Sequence, residues 1–254
     1  MKPAFPVSLE ITPPRELRPE ILLRRARLLG DRPAHVHVHV IQRPDRLSSL
    51  EAALLLADAG INAVLHLVNR GRTRDEIQAE VERARAGGIR RVLCIRGEGE
   101  DKDGPTTPRI REIVAQLRES WPEASVGVTA NQYGPRDAVL RNVLGKLEAG
   151  ADFVQTQPVF ERAPFASLAR ELRERAPPVE IVPMLMPITR GAERVALRLG
   201  APLPRERGWR AFAETLTALR EGPLAPLADG VAILTPTLDA SPAFADALRA
   251  ALQS

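Results

Sequence analysis

The polar residues best suited to proton transfer lie in strand-like runs near the start of the chain. Glu10 lies in the apolar run VSLEI, and His35, His37 and His39 alternate along the run HVHVHV. Because side chains alternate between the two faces of a strand, the three histidines share one face. A carboxylate buried in an apolar run needs a partner or a chemical role, since burying a charge is costly. We therefore expect Glu10 to be either a general acid, with a raised pKa if its environment is apolar, or the partner of a barrel arginine such as Arg96.

The histidines raise the alternative of a metal site. Neutral imidazoles from His35, His37 and His39, joined by His66 from the next apolar run, are nitrogen ligands that zinc accepts. The chain has only four histidines, and no later run contributes one, so the rest of a hydrolase ligand set is missing. We predict no metal and packed, hydrogen-bonded histidines, with His39 nearest the open end of its strand.

Two later runs also end in polar residues. Arg96 and Glu98 stand where the run RVLCI ends in the segment IRGEGEDKDG, and we expect both to contact a ligand. Gln155 and Gln157 share one face of the run DFVQTQ, and buried amides need hydrogen-bonding partners that a ligand could supply. Lys146, one of only three lysines, lies on a predicted helix, where a ligand contact and an ordinary surface position are both open.

The elements that must position these residues are eight short β-branched runs alternating with amphipathic segments. Most runs begin about 28 residues apart, which is the size of one βα unit. The predicted strands begin near Val7, His35, Ala63, Arg91, Ser125, Asp152, Glu180 and Gly230. Two helices, at about 190–199 and 206–220, fit before the last strand. The pattern predicts an α/β fold: a single (βα)8 TIM barrel over residues 1–254 with an extra helix before strand 8.

In such a barrel, catalytic groups come from the carboxyl ends of the strands. Those ends carry the polar residues Glu10, His39, His66, Arg96, Glu98, Thr129, Gln155, Gln157 and Thr235. An open dinucleotide-binding sheet is not expected, because TPPRE rather than a glycine-rich turn follows the first strand. Helix boundaries are also marked: Thr73 and Glu76 form a capping pattern, and Gly87 and Gly88 follow that helix.

Composition excludes several classes of protein. With 254 residues, 44% apolar residues and one cysteine, the chain can bury a core and is no disulfide scaffold. The net charge is +4, but arginines alternate with glutamates at helical spacing, as in RDEIQAEVERAR, and aromatic residues are only 4%. This favours solvated helix faces over a nucleic-acid surface. No apolar window approaches a membrane span, and the start of the chain lacks a signal-peptide pattern, so we expect a cytoplasmic protein.

Taken in order, five segments resemble the methylenetetrahydrofolate reductase family. They are SLEITPPR, LHLVNRGRTRDEI, GIRRVLCIRGE, KLEAGADFVQTQPVF and IVPMLMPIT, at strands 1, 3, 4, 6 and 7. The resemblance implies a flavoprotein oxidoreductase of one-carbon metabolism and methionine biosynthesis. Such an enzyme reduces 5,10-methylenetetrahydrofolate to 5-methyltetrahydrofolate, with FAD as cofactor and NADH or NADPH as electron donor. The implied partners are therefore a folate and a nicotinamide, and a homo-oligomer or a place in a larger reductase complex is left open.

The resemblance also implies roles for single positions. Glu10 corresponds to the general acid that protonates the folate ring nitrogen as the five-membered ring opens, and Gln157 to a glutamine that hydrogen-bonds the pterin. Gln155 joins it as a substrate-binding residue, and Glu98 stands at a catalytic aspartate near the flavin and pterin. The positions implied to contact FAD are His39, His66, Arg96, Gly97, Tyr133 and Lys146.

The sequence departs from the family mainly at positions that the resemblance places around the flavin. A Tyr-Pro-x-x-His stretch is replaced by ANQYGPRD, a Thr-Cys pair by Val68 and Asn69, and a double phenylalanine by Ile11 and Thr12. A reductase that passes hydride directly from a nicotinamide or deazaflavin without flavin is therefore one alternative, and a folate-dependent methyltransferase is another. A metal-dependent barrel hydrolase and a non-catalytic binding subunit are the remaining alternatives.

Overall fold

Eight parallel strands close a barrel in chain order. The computed structural model describes residues 5–13, 18–30, 33–40, 46–97, 107–176, 178–187, 190–202, 209–235 and 242–253. The strands are β1 Val7–Ile11, β2 His35–Val38, β3 Ala63–Val68, β4 Arg91–Ile95, β5 Ser125–Ala130, β6 Phe153–Pro158, β7 Glu180–Leu185 and β8 Val231–Thr235. The predicted (βα)8 TIM barrel is confirmed, and every predicted strand begins within one residue of the observed one.

Helices follow the strands and surround the barrel. They are α1 Pro19–Ala26, α2 Ser49–Asp58, α3 Arg74–Ala86, α4 Ile110–Ser120, α5 Arg136–Glu148, α6 Arg162–Arg175, α7 Arg190–Leu199, α8 Trp209–Arg220 and α9 Pro242–Gln253. Both α7 and α8 precede β8, which confirms the extra helix. At the start of α3, the Thr73 hydroxyl accepts the Glu76 N–H while the Glu76 carboxylate accepts the Thr73 N–H. None of the helices in the described residues combines the length and apolarity needed to cross a bilayer.

Alternation along the strands divides the core into two layers. Leu9 and Ile11 pack outward against the helices, so Glu10 between them points into the barrel. The barrel interior is filled by a smaller cluster that includes Leu93 and Phe153. Gly127 lies opposite that aromatic ring, and a Cβ there would stand 2.0 Å from the ring, so only glycine leaves room for it.

Cys94 lies in the outer layer, buried as expected for a small apolar residue. Burial raises the pKa of its thiol to about 12, so the thiol stays protonated at neutral pH. The cysteine therefore contributes packing rather than nucleophilic or metal-binding chemistry.

Charged groups close the amino end of the barrel, where the strands begin. The Arg91 guanidinium donates to the Glu180 carboxylate at 2.8 Å and to the Ser125 hydroxyl at 3.1 Å. Its central carbon also lies 3.7 Å from the centre of the Phe153 ring. Ion pair, hydrogen bond and cation–π contact together hold the first residues of four neighbouring strands.

Two aspartates at this end each contact both a neighbouring strand and a covering helix. The Asp152 carboxylate accepts a backbone N–H of β5 and pairs with Arg118 of α4. The Asp229 carboxylate accepts a backbone N–H of β7 and pairs with Arg173 of α6 at 2.6 Å. Each aspartate precedes a strand, so the pair of contacts ties that strand to its neighbour and to a covering helix.

Candidate active site

A cavity of about 420 Å³ opens at the carboxyl end of the barrel. This volume lies within the range of small-molecule sites, and the position is where TIM barrels carry their active sites. The residues predicted from strand ends and from the resemblance that line it are Glu10, His39, His66, Arg96, Gly97, Thr129, Gln155 and Gln157. Parallel strands ending at one rim bring together side chains that are far apart in sequence.

Glu10 lies on the floor of this cavity and is only 3% exposed. Its Oε1 atom is 3.1 Å from His39 Nδ1, and its Oε2 accepts a hydrogen bond from Gln155 Nε2 at 3.2 Å. The Thr235 hydroxyl, at the end of β8, donates to the Glu10 backbone carbonyl at 2.8 Å. Contacts from β2, β6 and β8 therefore hold both the carboxylate and its backbone in place.

The surroundings of Glu10 are polar, and this corrects two expectations. Burial alone would raise the pKa of Glu10, but the hydrogen bond with His39 and the nearby His66 and His37 rings outweigh it and lower the pKa to about 2. The expected raised pKa is therefore wrong. The expected arginine partner is also wrong, because the ion-pair partner within the described residues is His39. The carboxylate is ionised at neutral pH.

His37 and His66 form a buried pair beside this carboxylate. His37 Nδ1 lies 3.0 Å from His66 Nε2, and the two rings meet edge to face at 75°. Burial lowers the pKa of both imidazoles, His37 well below 6.5, so both are neutral at pH 7 and one donates to the other. The expectation of packed, hydrogen-bonded histidines is confirmed for this pair.

These groups also meet a distance condition for a metal site. Glu10, His37 and His66 have ligand-type atoms that all lie within 4.8 Å of one another. An ion there would displace the hydrogen bond between the two imidazoles and compete with His39 and Gln155 for the carboxylate. Because the two imidazoles already bond each other and the carboxylate already bonds two side chains, we assign the group as a polar cluster.

Gln155 contributes an unsatisfied acceptor to the cavity lining. The residue is 1% exposed, and its Oε1 atom is buried without a hydrogen-bond partner among the described residues. Leaving a buried acceptor unpaired costs about 1–3 kcal/mol, so an N–H group of a bound ligand would stabilise it. Gln157 lines the same cavity two residues further along β6.

Two arginines lie at the mouth. Arg96 follows β4, next to Gly97, whose φ of +86° is strained for any other residue. Arg198 reaches the lining from α7, together with Val195 and Leu199. These positions in the second half of α7 carry no sequence signal that marks them as part of the site. Two guanidinium groups make the mouth attractive to anionic ligands.

Two predicted cofactor contacts do not line this cavity. The Tyr133 hydroxyl donates to the Pro158 carbonyl at 2.8 Å and accepts the Phe160 N–H at 2.7 Å. Lys146 Nζ donates to the Thr129 carbonyl at 3.1 Å, and burial lowers the pKa of its amine. Tyr133 thus joins the segment after β5 to the end of β6, and Lys146 joins α5 to β5. Glu98 lies outside the described residues.

A second depression, of about 360 Å³, lies outside the barrel beside α5 and α6. The Arg136 guanidinium in its lining already pairs with Glu171 and donates to the Ser167 carbonyl. The depression shows no orphaned buried polar atom among the described residues. We therefore assign the candidate active site to the carboxyl-end cavity.

Comparisons with known proteins identify the family of this chain. A family model described as methylenetetrahydrofolate reductase matches residues 2–206. A "Probable methylenetetrahydrofolate reductase (NADPH)" from Caenorhabditis elegans is 28% identical over an alignment of 207 residues that covers 71% of this chain and 30% of that protein. This chain thus spans about a third of the length of that relative.

A solved structure shares the fold alone. A "putative deoxyribose-phosphate aldolase" from Toxoplasma gondii ME49 superposes with a TM-score of 0.57 at 14% identity, covering 98% of this chain and 92% of the other. The family model, in contrast, extends over well over half of the sequence, from the segment before β1 to the one after α7. This chain therefore belongs to the methylenetetrahydrofolate reductase family.

Proposed function

We propose that this protein reduces 5,10-methylenetetrahydrofolate to 5-methyltetrahydrofolate with hydride from NADH or NADPH. Family membership supports an oxidoreductase with a folate substrate. The observation that carries the proposal is a pair of groups on the cavity floor: the Glu10 carboxylate and the orphaned amide oxygen of Gln155. A pterin ring offers N–H groups to acceptors of this kind, and its nitrogens accept a proton from an acid.

The reaction needs one proton and one hydride. Glu10 delivers the proton to the folate ring nitrogen as its bond to the methylene carbon breaks, and the five-membered ring opens to an iminium. Hydride from the nicotinamide, with its electron pair, then adds to the methylene carbon and makes the methyl group. One NAD(P)H and one proton are consumed, and one NAD(P)⁺ is released. A substrate and a nicotinamide that fill the cavity would displace water that could hydrolyse the iminium.

Other cavity residues bind and orient the substrate. Gln155 and Gln157 line the cavity from β6 and would hold the pterin edge. Arg96 and Arg198 at the mouth suit the carboxylates of a folate tail and the phosphates of a dinucleotide. This division puts the amides of β6 beside the reacting ring and the arginines where the anionic parts enter.

The cavity fits part of the set implied for FAD. His39, His66, Arg96 and Gly97 line it and would hold the cofactor. FAD would supply a hydride relay between NAD(P)H and the folate. Tyr133 and Lys146 bond other parts of the protein, so their flavin contacts find no support in the described geometry. The proton chemistry assigned to Glu10 is the same with or without a flavin.

Several finer predictions rest on the sequence alone. They are the catalytic role of Glu98, a single catalytic domain over the whole chain, a place in methionine biosynthesis and a cytoplasmic location. Association into a homo-oligomer or a larger reductase complex also remains open. Each concerns the whole protein or residues beyond those described.

The test uses the purified protein under anaerobic conditions. We expect NADH or NADPH to be oxidised only when 5,10-methylenetetrahydrofolate is present, with one 5-methyltetrahydrofolate formed per nicotinamide. Lack of product with both nicotinamides, with and without added FAD, would contradict the proposal. An absorbance spectrum separates the cofactor alternatives: a flavin band that bleaches under NAD(P)H supports FAD, whereas a colourless active protein supports direct transfer. Methyl transfer without nicotinamide oxidation would favour the methyltransferase instead.

A further inference from the structure

We propose that the catalytic proton is stored on His39 and passed to the substrate through Glu10, so that the two residues act as one acid. The inference rests on the reductase function proposed above and deepens it. It gives His39 a role in proton transfer besides the flavin contact implied by resemblance. It also explains how an ionised carboxylate can serve as the acid.

The geometry of the pair carries this inference. His39 Nδ1 lies 3.1 Å from Glu10 Oε1, which is hydrogen-bonding distance, and both side chains line the same cavity. The His39 backbone N–H donates to the Ile11 carbonyl at 2.8 Å, which holds the histidine beside β1. The His39 side chain is 38% exposed, whereas that of Glu10 is 3% exposed. One partner can exchange protons with water, and the other can place them on a buried substrate.

Glu10 needs such a supply because it is unprotonated at rest. Its neighbours lower its pKa to about 2, and Gln155 Nε2 donates to the second oxygen, which further favours the charged form. A carboxylate in this state is an acceptor only. It must gain a proton before it can give one to the folate.

The other titratable groups around the pair are less suited to the task. His66 and His37 lie beside Glu10, but they are buried and hydrogen-bonded to each other. Arg96 and Arg198 line the cavity but do not release protons near neutral pH. His39, among the described residues, is the histidine that both bonds Glu10 and reaches solvent, and histidine is the side chain that titrates near neutrality.

The proton moves from His39 to Glu10 and from there to the folate nitrogen. The Nδ1–H bond of the His39 imidazolium breaks, and an O–H bond forms on Glu10. That O–H bond breaks in turn as the folate nitrogen takes the proton and its bond to the methylene carbon opens. The neutral imidazole then takes a new proton from water. Each turnover consumes one solvent proton and one hydride, as the overall reaction requires.

The experiment compares one substitution at two positions of the same strand. His39→Gln keeps an N–H donor for Glu10 but cannot carry a proton near neutral pH. His35→Gln is the matched control, because His35 lies at the amino end of β2, away from the cavity. We measure kcat and folate KM from pH 5.5 to 9, folate binding and melting temperature. A His39→Ala variant is assayed with and without added imidazole.

We expect His39→Gln to lower kcat about 100-fold, the usual scale of general acid catalysis, and to remove the ionisation that controls kcat near neutrality. Folate KM should change less than about threefold, because uniform substrate binding is untouched. Imidazole should restore part of the activity of His39→Ala. The His35→Gln control should keep the wild-type kcat and pH profile.

The outcomes separate the two proposals. If the wild type does not reduce the folate, the proposed function fails. If the wild type is active and His39→Gln keeps its kcat and pH profile, only the His39 inference is overturned. A loss that is equal at every pH, accompanied by weaker folate binding and no rescue by imidazole, would overturn it in favour of a structural or cofactor contact. If His39→Gln does not fold, the rescue experiment on His39→Ala decides.

Discussion

The two ends of the barrel use charged residues in opposite ways. At the amino end, Arg91 contacts Glu180, Ser125 and the face of Phe153 at once. At the carboxyl end, the Glu10 carboxylate bonds the partly exposed imidazole of His39 and the amide nitrogen of Gln155. The amide oxygen of Gln155 has no partner among the described residues. Satisfied groups stabilise the native state, whereas an unsatisfied buried acceptor destabilises it until a ligand binds. The comparison shows that stability is concentrated at one end and binding chemistry at the other.

Strand β2 shows the same contrast within five residues. His35, at its amino end, lies near Arg91, and burial together with that positive charge lowers the pKa of the imidazole to about 4. His39, just past its carboxyl end, lies against the ionised Glu10. A histidine at the amino end of β2 therefore lies near a cation, whereas a histidine past its carboxyl end lies against a carboxylate. Position in the barrel, rather than residue type, decides which histidine can serve as a proton carrier.

The largest effect is expected for Glu10→Gln. The amide cannot deliver a proton, so folate turnover should fall about 1,000-fold, within the range of general acid catalysis. Any bound flavin should remain reducible by NAD(P)H, because that step does not use Glu10. The measurement is folate-dependent oxidation of NAD(P)H. The matched control is Glu180→Gln at the amino end, which should keep turnover within about twofold; a normal Glu10→Gln enzyme would show that the acid is elsewhere.

The next largest effect concerns stability rather than turnover. Arg91→Met removes the ion pair, the hydrogen bond and the cation–π contact, and we expect a loss of about 2 kcal/mol in unfolding free energy. For a chain of this length that corresponds to a fall of about 4–8 °C in melting temperature. Calorimetry measures the shift. A fall in kcat at a temperature where the variant is folded would contradict the division between the two ends.

Unlike Arg91→Met, Gln155→Met should weaken ligand binding more than it changes stability. The substitution removes a buried unsatisfied acceptor but also the Nε2 donor of the Glu10 carboxylate, so the two effects oppose each other and the free energy of unfolding should change by less than about 1 kcal/mol. Folate binding should weaken about fivefold to tenfold, since about 1 kcal/mol of hydrogen bonding to the ligand is lost. Isothermal titration with a folate and thermal denaturation test the two halves. Loss of stability without loss of binding would show that the amide serves the fold.

The smallest effect is a pH dependence of stability. The folded-state pKa values of His35, His37 and His66 are lowered, so below pH 6.5 the unfolded chain binds protons that the folded chain does not. Their contribution is therefore present above pH 6.5 and is lost as the pH falls. The lowered pKa of Glu10 acts in the same direction at lower pH, between 4.5 and about 2.

Melting temperatures at pH 7.5 and 5.5 test this dependence. His35→Gln removes one of the three histidines, so its melting temperature should fall about 1–2 °C less than that of the wild type between those pH values. The amino-end position makes this variant informative, because the carboxyl-end site is left intact. An identical fall in both proteins would show that His35 contributes nothing to the acid sensitivity.

Much of the fold was predictable because it depends on local patterns. Alternation in VSLEI places Glu10 inside the barrel, and the Thr73 and Glu76 pattern marks the start of α3. The gathering of strand-end residues followed from the parallel topology. The partners within the site did not: the contact of Glu10 with His39 and Gln155 depends on the register of β1 with β2 and on barrel closure. The pKa of Glu10 was mispredicted for that reason.

Contacts made by helices were the hardest to predict. Arg198 enters the cavity because α7 lies near its mouth, and the sequence shows the helix but not its position. Tyr133 and Lys146 were assigned to a cofactor by resemblance, yet in the structure their polar atoms bond backbone groups of the protein. Sequence position alone does not tell which neighbour a long polar side chain reaches.

The sequence by itself determined the eight βα units, the barrel, the family resemblance and the rim on which polar residues meet. These follow from the periods of strands and helices and from the order of the segments, which are properties of the chain. Only the tertiary structure decided that Glu10 is ionised, that His39 lies 3.1 Å from its carboxylate and that Gln155 has an oxygen without a partner among the described residues. Electrostatic and hydrogen-bonding states depend on distances of a few ångströms between strands far apart in sequence, and folding alone sets those distances.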